Sequence, residues 1–270
     1  MDNFDLFKFC LRLGDSCLIM AHRQSEMCSK GPFLEEDIAQ TNLGLDLLGQ
    51  AEALLKYAAK LEGKGRTADD LVYRRPERDF YNFMLTEQPN TDFAFAVVRQ
   101  YIMALYLDKV YETLSNVDDE TLSGIALKAL KEISYHKSHL GMWITRLGDG
   151  TQESHERVQT AFNELWMFVG ELYEEDELDL KMQHAGFAIS GDEMKSYLFS
   201  EISSCLAKAN LSIPESVYMT TGSKKGIHTE YLGYLLTEMQ YLQRAYPDAC
   251  LLYTSPSPRD MRRSRMPSSA

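Results

Sequence analysis

Apolar residues recur at intervals of three and four along most of the chain, which is the spacing of one buried face of an α-helix. Runs in which β-branched and polar residues alternate, as they do in half-buried strands, are almost absent. The few prolines before residue 250 fall between the periodic segments: Pro32, Pro76, Pro89, Pro214 and Pro247. The pattern therefore predicts an all-α protein.

Four long segments with this period come first, and shorter ones follow. The predicted helices cover residues 3–28, 34–61, 80–85, 90–114, 118–147, 153–172, 190–209 and 226–245. Several begin at residues that cap helices well, such as Asp92, Asp119 and Ser190. Long helices joined by short turns pack as an antiparallel bundle.

The connection between the second and third long helices is long enough to cross the bundle. It spans residues 61–90 and would let both helices run in the same direction, as in ferritin-like bundles. The sequence therefore predicts a ferritin-like antiparallel helix bundle with additional C-terminal helices. We expect residues 74–78 to form part of a loop, and the acidic segment 171–179 to be a solvated helix end and loop.

The last residues have a different composition from the rest of the chain. Residues 250–270 hold three of the eight prolines and four arginines, without a helical period. The segment CLLYTSPSPRD matches the in-frame translation of a common sequencing adaptor. We therefore interpret 250–270 as a non-native read-through tail and 1–249 as one ferritin-like domain. A natural disordered tail is the alternative.

The chain is strongly acidic. It has 28 basic and 40 acidic residues, a net charge of −12, and without residues 250–270 the counts fall to 24 and 39, a net charge of −15. Such a charge argues against binding of nucleic acid, because the phosphates would be repelled.

The cysteines point to a reducing compartment. Cys10, Cys17, Cys28 and Cys205 form no CxxC pair, which predicts free thiols. We find no N-terminal signal pattern and no apolar run near the ~20 residues of a membrane span. The expectation is a cytoplasmic protein with no membrane partner.

A long four-helix bundle raises the question of a di-iron centre. Such centres take a carboxylate from each of two helices and a Glu-x-x-His from each of the other two. Asp46 is followed three positions later by Gly49, and Glu132 by Tyr135, where histidine would be needed. His136 comes one position too late. The number of carboxylate and histidine side chains at the required spacing is therefore too small, and we predict no metal ligands and no catalytic residues in this chain.

These polar residues still need an explanation. We predict that Asp46, Glu132 and His136 form a hydrogen-bonded layer inside the bundle, with a polar partner on a neighbouring helix. Iron binding by Glu132, His136 and scattered acids is the alternative. Asp15 and Glu26 are expected to face solvent.

One basic loop stands out in the acidic chain. Lys224 and Lys225 lie between two glycines, and His228 follows just before a predicted helix. Because helix N-termini favour anions, these three residues are candidates for contact with coenzyme A phosphates or an acidic partner. An ordinary solvated loop and cap is the other interpretation.

Several blocks of sequence, spread over residues 4–247, carry a resemblance to a known family. They are residues 11–15 (LRLGD), 42–51 (NLGLDLLGQA), 87–90 (EQPN), 131–136 (KEISYH), 146–151 (RLGDGT), 221–233 (TGSKKGIHTEYLG) and 238–244 (EMQYLQR). In these blocks the chain resembles the structural subunits of the multicomponent phenylacetyl-CoA 1,2-epoxidases of aerobic phenylacetate catabolism.

The resemblance implies a division of labour within a monooxygenase complex. A related ferritin-like catalytic subunit would hold the di-iron centre and bind the acyl-CoA, while this chain would lack a cofactor and stabilise that partner. A small accessory subunit and a reductase would complete the complex. Three alternatives stay open: a di-iron oxygenase in its own right, an iron-storage protein, and an unrelated helical interaction module.

Overall fold

The computed structural model describes residues 2–215 and 218–247, and these residues form helices and no strands. The proposed tail at 250–270 lies outside the described residues. The α-helices are α1 (Asn3–Ser25), α2 (Leu34–Glu62), α3 (Ala68–Tyr73), α4 (Met84–Glu87), α5 (Phe93–Leu114), α6 (Glu120–Gly148), α7 (Gln152–Leu165), α8 (Glu177–His184), α9 (Gly191–Lys208) and α10 (Glu230–Ala245). Short 3₁₀ helices cover Glu77–Asp79, Trp166–Leu172 and Ser223–Lys225.

The helices begin where local capping chemistry dictates. Asp92 accepts a hydrogen bond from the backbone N–H of Phe95 and starts α5, and Asp119 starts α6 in the same way. Ser190 caps α9 through the N–H of Glu193. Each such cap stabilises its helix by about 1 kcal/mol. The three predicted helix starts are confirmed to within a few residues.

The long helices α1, α2, α5 and α6 form the bundle, and the predicted ferritin-like arrangement is confirmed. Tyr111 near the end of α5 hydrogen-bonds Gln50 in the second half of α2. Phe93 at the start of α5 packs on Trp143, which in turn donates to Glu36 near the start of α2. Helices α2 and α5 therefore run in the same direction, and the crossover 63–92 connects them.

The four bundle helices are buried to very different extents. Helix α1 buries 17 of its 23 residues and α5 buries 17 of its 22, because α4 packs on both while α8 covers α1, and α7 and α9 cover α5. Helix α2 buries only 11 of 29 residues and α6 only 9 of 29, although α3 packs on α2, and α7 and α9 also contact α6. Helices α2 and α6 therefore expose more of their length than α1 and α5 do.

The connecting segments follow the sequence prediction in part. Residues 74–76 form a loop as expected, although Arg75 within it is buried against α1. In the acidic segment 171–179, Glu174, Glu175 and Glu177 are exposed as expected. The expectation is wrong for Glu171, which is fully buried, and α8 begins within the segment at Glu177.

Several helix boundaries also differ from the sequence prediction: the first helix ends at Ser25 rather than at residue 28, and the short helix expected at 80–85 is found at Met84–Glu87. The predicted helix 153–172 changes to 3₁₀ geometry at Trp166, and α10 begins at Glu230 rather than at residue 226. The residues before α10 make tertiary hydrogen bonds instead of helical ones. Within residues 2–215 and 218–247, no helix is long and apolar enough to cross a membrane.

Candidate functional site: the polar interior of the bundle

Asp46 of α2 and His136 of α6 form a pair across the two helices. The Nε2 atom of His136 lies 3.0 Å from Asp46 Oδ2, and because a carboxylate only accepts, the imidazole donates. The His136 ring is buried, whereas the Asp46 side chain is 36% exposed. The pair therefore links the interior to the surface, so Asp46 lies at the boundary rather than in the core.

Glu132 belongs to a second polar layer, one helical turn away. Gln50 Nε2 donates to Glu132 Oε2 at 2.9 Å, and Gln50 Oε1 accepts from the Tyr111 hydroxyl at 3.1 Å. The Cys17 sulfur of α1 lies 3.6 Å from the same hydroxyl, so this layer joins all four bundle helices. Burial raises the pKa of the Cys17 thiol to about 12, and the thiol stays protonated.

A third layer centres on Glu36, which sequence reasoning missed. This buried carboxylate accepts hydrogen bonds from Gln40 Nε2 at 2.5 Å, Trp143 Nε1 at 2.8 Å and His139 Nε2 at 3.1 Å. Gln24 of α1 donates in turn to Gln40. Burial alone would raise the pKa of Glu36, but the bonds from His139, Gln40 and Trp143 outweigh it, and the pKa is lowered.

These layers do not fit a di-iron centre. Neutral amides occupy much of the interior, and the carboxylates lie on separate layers, each already bound by a donor of this chain. The interior amides are Gln24, Gln40, Gln50 and Gln100. Among the described residues, no three His, Cys, Asp or Glu side chains lie close enough to share a metal ion. A pair of irons needs bridging carboxylates facing each other at one level.

Two buried glutamates, Glu171 and Glu87, accept hydrogen bonds from the basic loop. Glu171 accepts from the backbone N–H groups of Met84 at 2.8 Å, Gly222 at 3.0 Å and Ser223 at 2.8 Å. Burial raises the pKa of Glu171 above its ordinary value, although these three donors pull it down. Backbone groups that could have received a phosphate therefore already hold a carboxylate of the same chain.

Glu87 of α4 is the second of these glutamates, and it binds the end of the loop just before α10. It accepts from His228 Nδ1 at 2.5 Å, from the Thr229 N–H at 2.9 Å and from the Thr229 hydroxyl at 2.6 Å. The other ring nitrogen of His228 contacts the Phe80 carbonyl oxygen at 2.8 Å. Burial lowers the pKa of His228, but Glu87 outweighs burial, and the pKa is raised.

Of the three loop residues predicted to contact a ligand, only Lys225 is exposed. His228 has no exposed side-chain surface. The Lys224 ammonium bonds Asp179 at 2.5 Å and the Glu174 carbonyl, and its side chain is 7% exposed. Both buried residues serve the chain's own fold, because their donors are already taken up by internal acceptors.

Asp15 is fully buried, so the expectation that it faces solvent is wrong, whereas Glu26 is exposed as expected. Both carboxylate oxygens of Asp15 bind the guanidinium of Arg75, and the Tyr81 N–H donates to it at 3.1 Å. The Arg75 guanidinium also lies over the Phe80 ring, 4.2 Å from its centroid. This cluster fixes the crossover against α1.

Comparison with known proteins supports the resemblance seen in the sequence. The sequence model of a family described as phenylacetic acid catabolic protein matches residues 2–250. The chain is 42% identical over 242 residues to one of the subunits of the 1,2-phenylacetyl-CoA epoxidase of Escherichia coli (strain K12), a match that covers 90% of this chain and 97% of that protein. The chain belongs to the phenylacetic acid catabolic protein family.

The blocks that mark this phenylacetic acid catabolic protein coincide with its internal contacts. Block 221–233 is the loop held by Glu87 and Glu171, and block 42–51 contains Asp46 and Gln50. In block 146–151, a side chain at Gly148 would collide with Ala209. These blocks therefore contribute to a framework of tertiary hydrogen bonds and close contacts.

Proposed function

We propose that this chain is the structural, non-catalytic subunit of a multicomponent phenylacetyl-CoA monooxygenase. The complex would form the ring 1,2-epoxide in aerobic phenylacetate catabolism, in the cytoplasm. A ferritin-like catalytic subunit would hold the di-iron centre, with a small accessory subunit and a reductase as further partners. This chain would stabilise the catalytic subunit and hold no cofactor.

The observation that carries the proposal is the state of the bundle interior. Glu36, Asp46 and Glu132 are each bound by donors of the same chain, at three different levels of the bundle. Freeing them for a metal would leave Trp143 and His136 without acceptors, at about 1–3 kcal/mol for each buried group. The relative with 42% identity is itself named as part of a multi-subunit epoxidase, which agrees with work in a complex.

A metal analysis tests the proposal directly. The purified chain is incubated with ferrous iron without oxygen, desalted, and measured alone and in complex with the catalytic subunit. We expect well under one iron per chain alone, and two irons per complex. Two irons on the isolated chain, lost in the Glu132→Gln and His136→Leu variants, would instead establish a di-iron oxygenase subunit or an iron-storage protein.

Co-expression tests the stabilising role. We expect the catalytic subunit to be more soluble, and to turn over its acyl-CoA substrate faster, when this chain is present. Equal solubility and activity without this chain would contradict the proposal, and failure of the two proteins to co-elute would favour an unrelated helical interaction module.

A further inference from the structure

A cleft between α1, α8 and the basic loop is rich in positive charge, and we call it the basic cleft. Its volume of about 470 Å³ lies within the usual range for small-molecule sites. Three acidic side chains and five of the chain's 28 basic ones line it, although the chain as a whole has a net charge of −12. By contrast, four acidic side chains surround Arg157 in the cleft between α5 and α7. The basic members of the lining are Lys8, Arg12, Lys181, Lys224 and Lys225.

Two of these cations are held in place by the fold. Arg12 Nη1 donates to Asp179 at 2.9 Å, and Arg12 Nη2 donates to Asp176 at 2.6 Å. Lys224 also bonds Asp179, and the side chains of Arg12 and Lys224 are each 7% exposed. Burial alone would raise the pKa of Asp176, but Arg12 outweighs burial, and the pKa is lowered to about 2. The cleft therefore has fixed positive groups before any ligand arrives.

Two lysines of the basic cleft remain available to a ligand. Unlike the other three cations, Lys8 and Lys225 pair with no carboxylate of the described residues. The Lys8 ammonium lies 4.6 Å from the centroid of the Phe4 ring, and Lys225 is exposed. Glu177 is the one acidic side chain of the lining without a cationic partner in the described part of the chain. Two free ammonium groups are therefore matched by a single free carboxylate.

The chemistry of the basic cleft suits a phosphate ester. A phosphate group carries up to two negative charges and several acceptor oxygens, so it can bind more than one ammonium group at once. Leu178 and the half-buried Tyr81 add an aliphatic and an aromatic side chain to the lining. Small-molecule sites combine apolar walls of this kind with a few placed polar groups. The cleft therefore offers contacts both for phosphates and for an organic group attached to them.

We propose that the basic cleft binds a small organic diphosphate, with its phosphate groups on Lys8 and Lys225 and its organic group against Tyr81. A free nucleotide and coenzyme A share this chemistry. The site lies outside the polar interior of the bundle, and the proposal does not depend on the proposed function.

Calorimetric titration of the full-length chain tests the proposal. We expect ADP and coenzyme A each to form a one-to-one complex, and the tighter of the two identifies the source of the diphosphate. Adenosine, which lacks phosphate, should not bind. A hexaglutamate peptide stands for an acidic protein segment. No binding of ADP or coenzyme A, equal binding of adenosine, or binding of the peptide alone would overturn the proposal.

Matched double variants locate the site. Lys8→Glu combined with Lys225→Glu should weaken ADP binding at least tenfold. Lys60→Glu combined with Lys131→Glu is the control, because both lysines are exposed, lie outside the cleft and give the same change in net charge. The control should bind ADP nearly as well as the unmodified chain, and circular dichroism melting checks each fold. Equal weakening in both double variants would show a general effect of charge and overturn the site.

Two single variants separate the contributions of charge and ring. Glu177→Gln removes the free carboxylate and should tighten ADP binding several-fold, because the repulsion between like charges is lost. Tyr81→Leu should weaken the binding of ADP but not that of pyrophosphate, which has no organic group. Unchanged affinity in Glu177→Gln, or equal losses for both ligands in Tyr81→Leu, would contradict the proposed arrangement.

A footprinting measurement needs no variant. Acetic anhydride acetylates accessible lysine side chains, and mass spectrometry follows each site. Lys8 and Lys225 should be acetylated at least several-fold more slowly when ADP saturates the chain. Lys60 and Lys131 are the controls and should react equally in both samples. Unchanged acetylation of Lys8 and Lys225 in the saturated sample would place the ligand elsewhere and overturn the inference.

Discussion

Glu87 Oε1 accepts a hydrogen bond from His228 Nδ1 at 2.5 Å, and both side chains are fully buried. The bond ties the short helix of the crossover to the residues that precede the last helix. Its strength depends on the proton of His228, whose pKa is raised by the neighbouring carboxylate despite burial.

Stability should therefore depend on pH through His228. A raised folded-state pKa means that the contribution is fully present below the unfolded-state value of about 6.5 and is lost as pH rises through the folded-state pKa. We expect His228→Gln to lower the free energy of unfolding by about 2 kcal/mol at pH 6, and by less at higher pH.

Urea denaturation of both proteins across this pH range measures the difference. His184→Gln is the control, because His184 is an exposed histidine on α8. A difference for His228→Gln that does not change with pH would show that the histidine acts through its shape alone.

The ion pair between Asp15 and Arg75 should be essential for the crossover. Asp15→Asn leaves the Arg75 guanidinium buried without an opposite charge, which should cost about 3 kcal/mol or more. Urea denaturation measures the loss. The exposed pair Glu52–Lys56 is the control, and Glu52→Gln should leave the denaturation midpoint nearly unchanged.

Glu171 should hold the basic loop closed. In Glu171→Gln, the side-chain amide group would face backbone N–H donors, so the loop loses acceptors for Met84, Gly222 or Ser223. We expect a loss of about 2 kcal/mol in the free energy of unfolding. Limited proteolysis should then cut within residues 218–229 faster than in the unmodified chain, and an unchanged cleavage rate would contradict this.

Two glycines should respond in opposite ways to the same substitution. Gly226 has a φ of +71°, and a Cβ there would press on the Arg78 carbonyl oxygen, so Gly226→Ala should destabilise the chain by at least about 1 kcal/mol. Gly49 is helical with free space around it, so Gly49→Ala should stabilise the isolated chain by up to about 1 kcal/mol. Thermal melting compares the two.

The fold was predictable wherever its causes are local. Asp92, Asp119 and Ser190 lie next to the helices that they cap, so the sequence alone indicates those starts. The period of three and four likewise predicts the four long helices. Of the polar layer predicted from Asp46, Glu132 and His136, the bond between His136 and Asp46 is present, whereas Glu132 bonds Gln50 one turn away.

The tertiary hydrogen bonds were not predictable, because their partners lie far apart in the chain. Asp15 and Arg75 are 60 positions apart, and Glu171 is 52 positions from Ser223. A lone acidic residue is typical of an exposed surface, so charge alone gives the wrong environment. The run 171–179 also contains Asp179, which binds Arg12 from 167 positions away.

The anchoring of the loop by Glu87 and Glu171 has a consequence for synthesis on the ribosome. Helices α1 to α9 are complete before residues 220–229 emerge, yet both carboxylates lack most of their donors until then. A chain released before residue 220 would contain the bundle helices but lack these donors to Glu87 and Glu171. The segment that follows α9 therefore completes the hydrogen bonding of the crossover, and the bundle reaches its full stability only once the C-terminal part of the chain has been made.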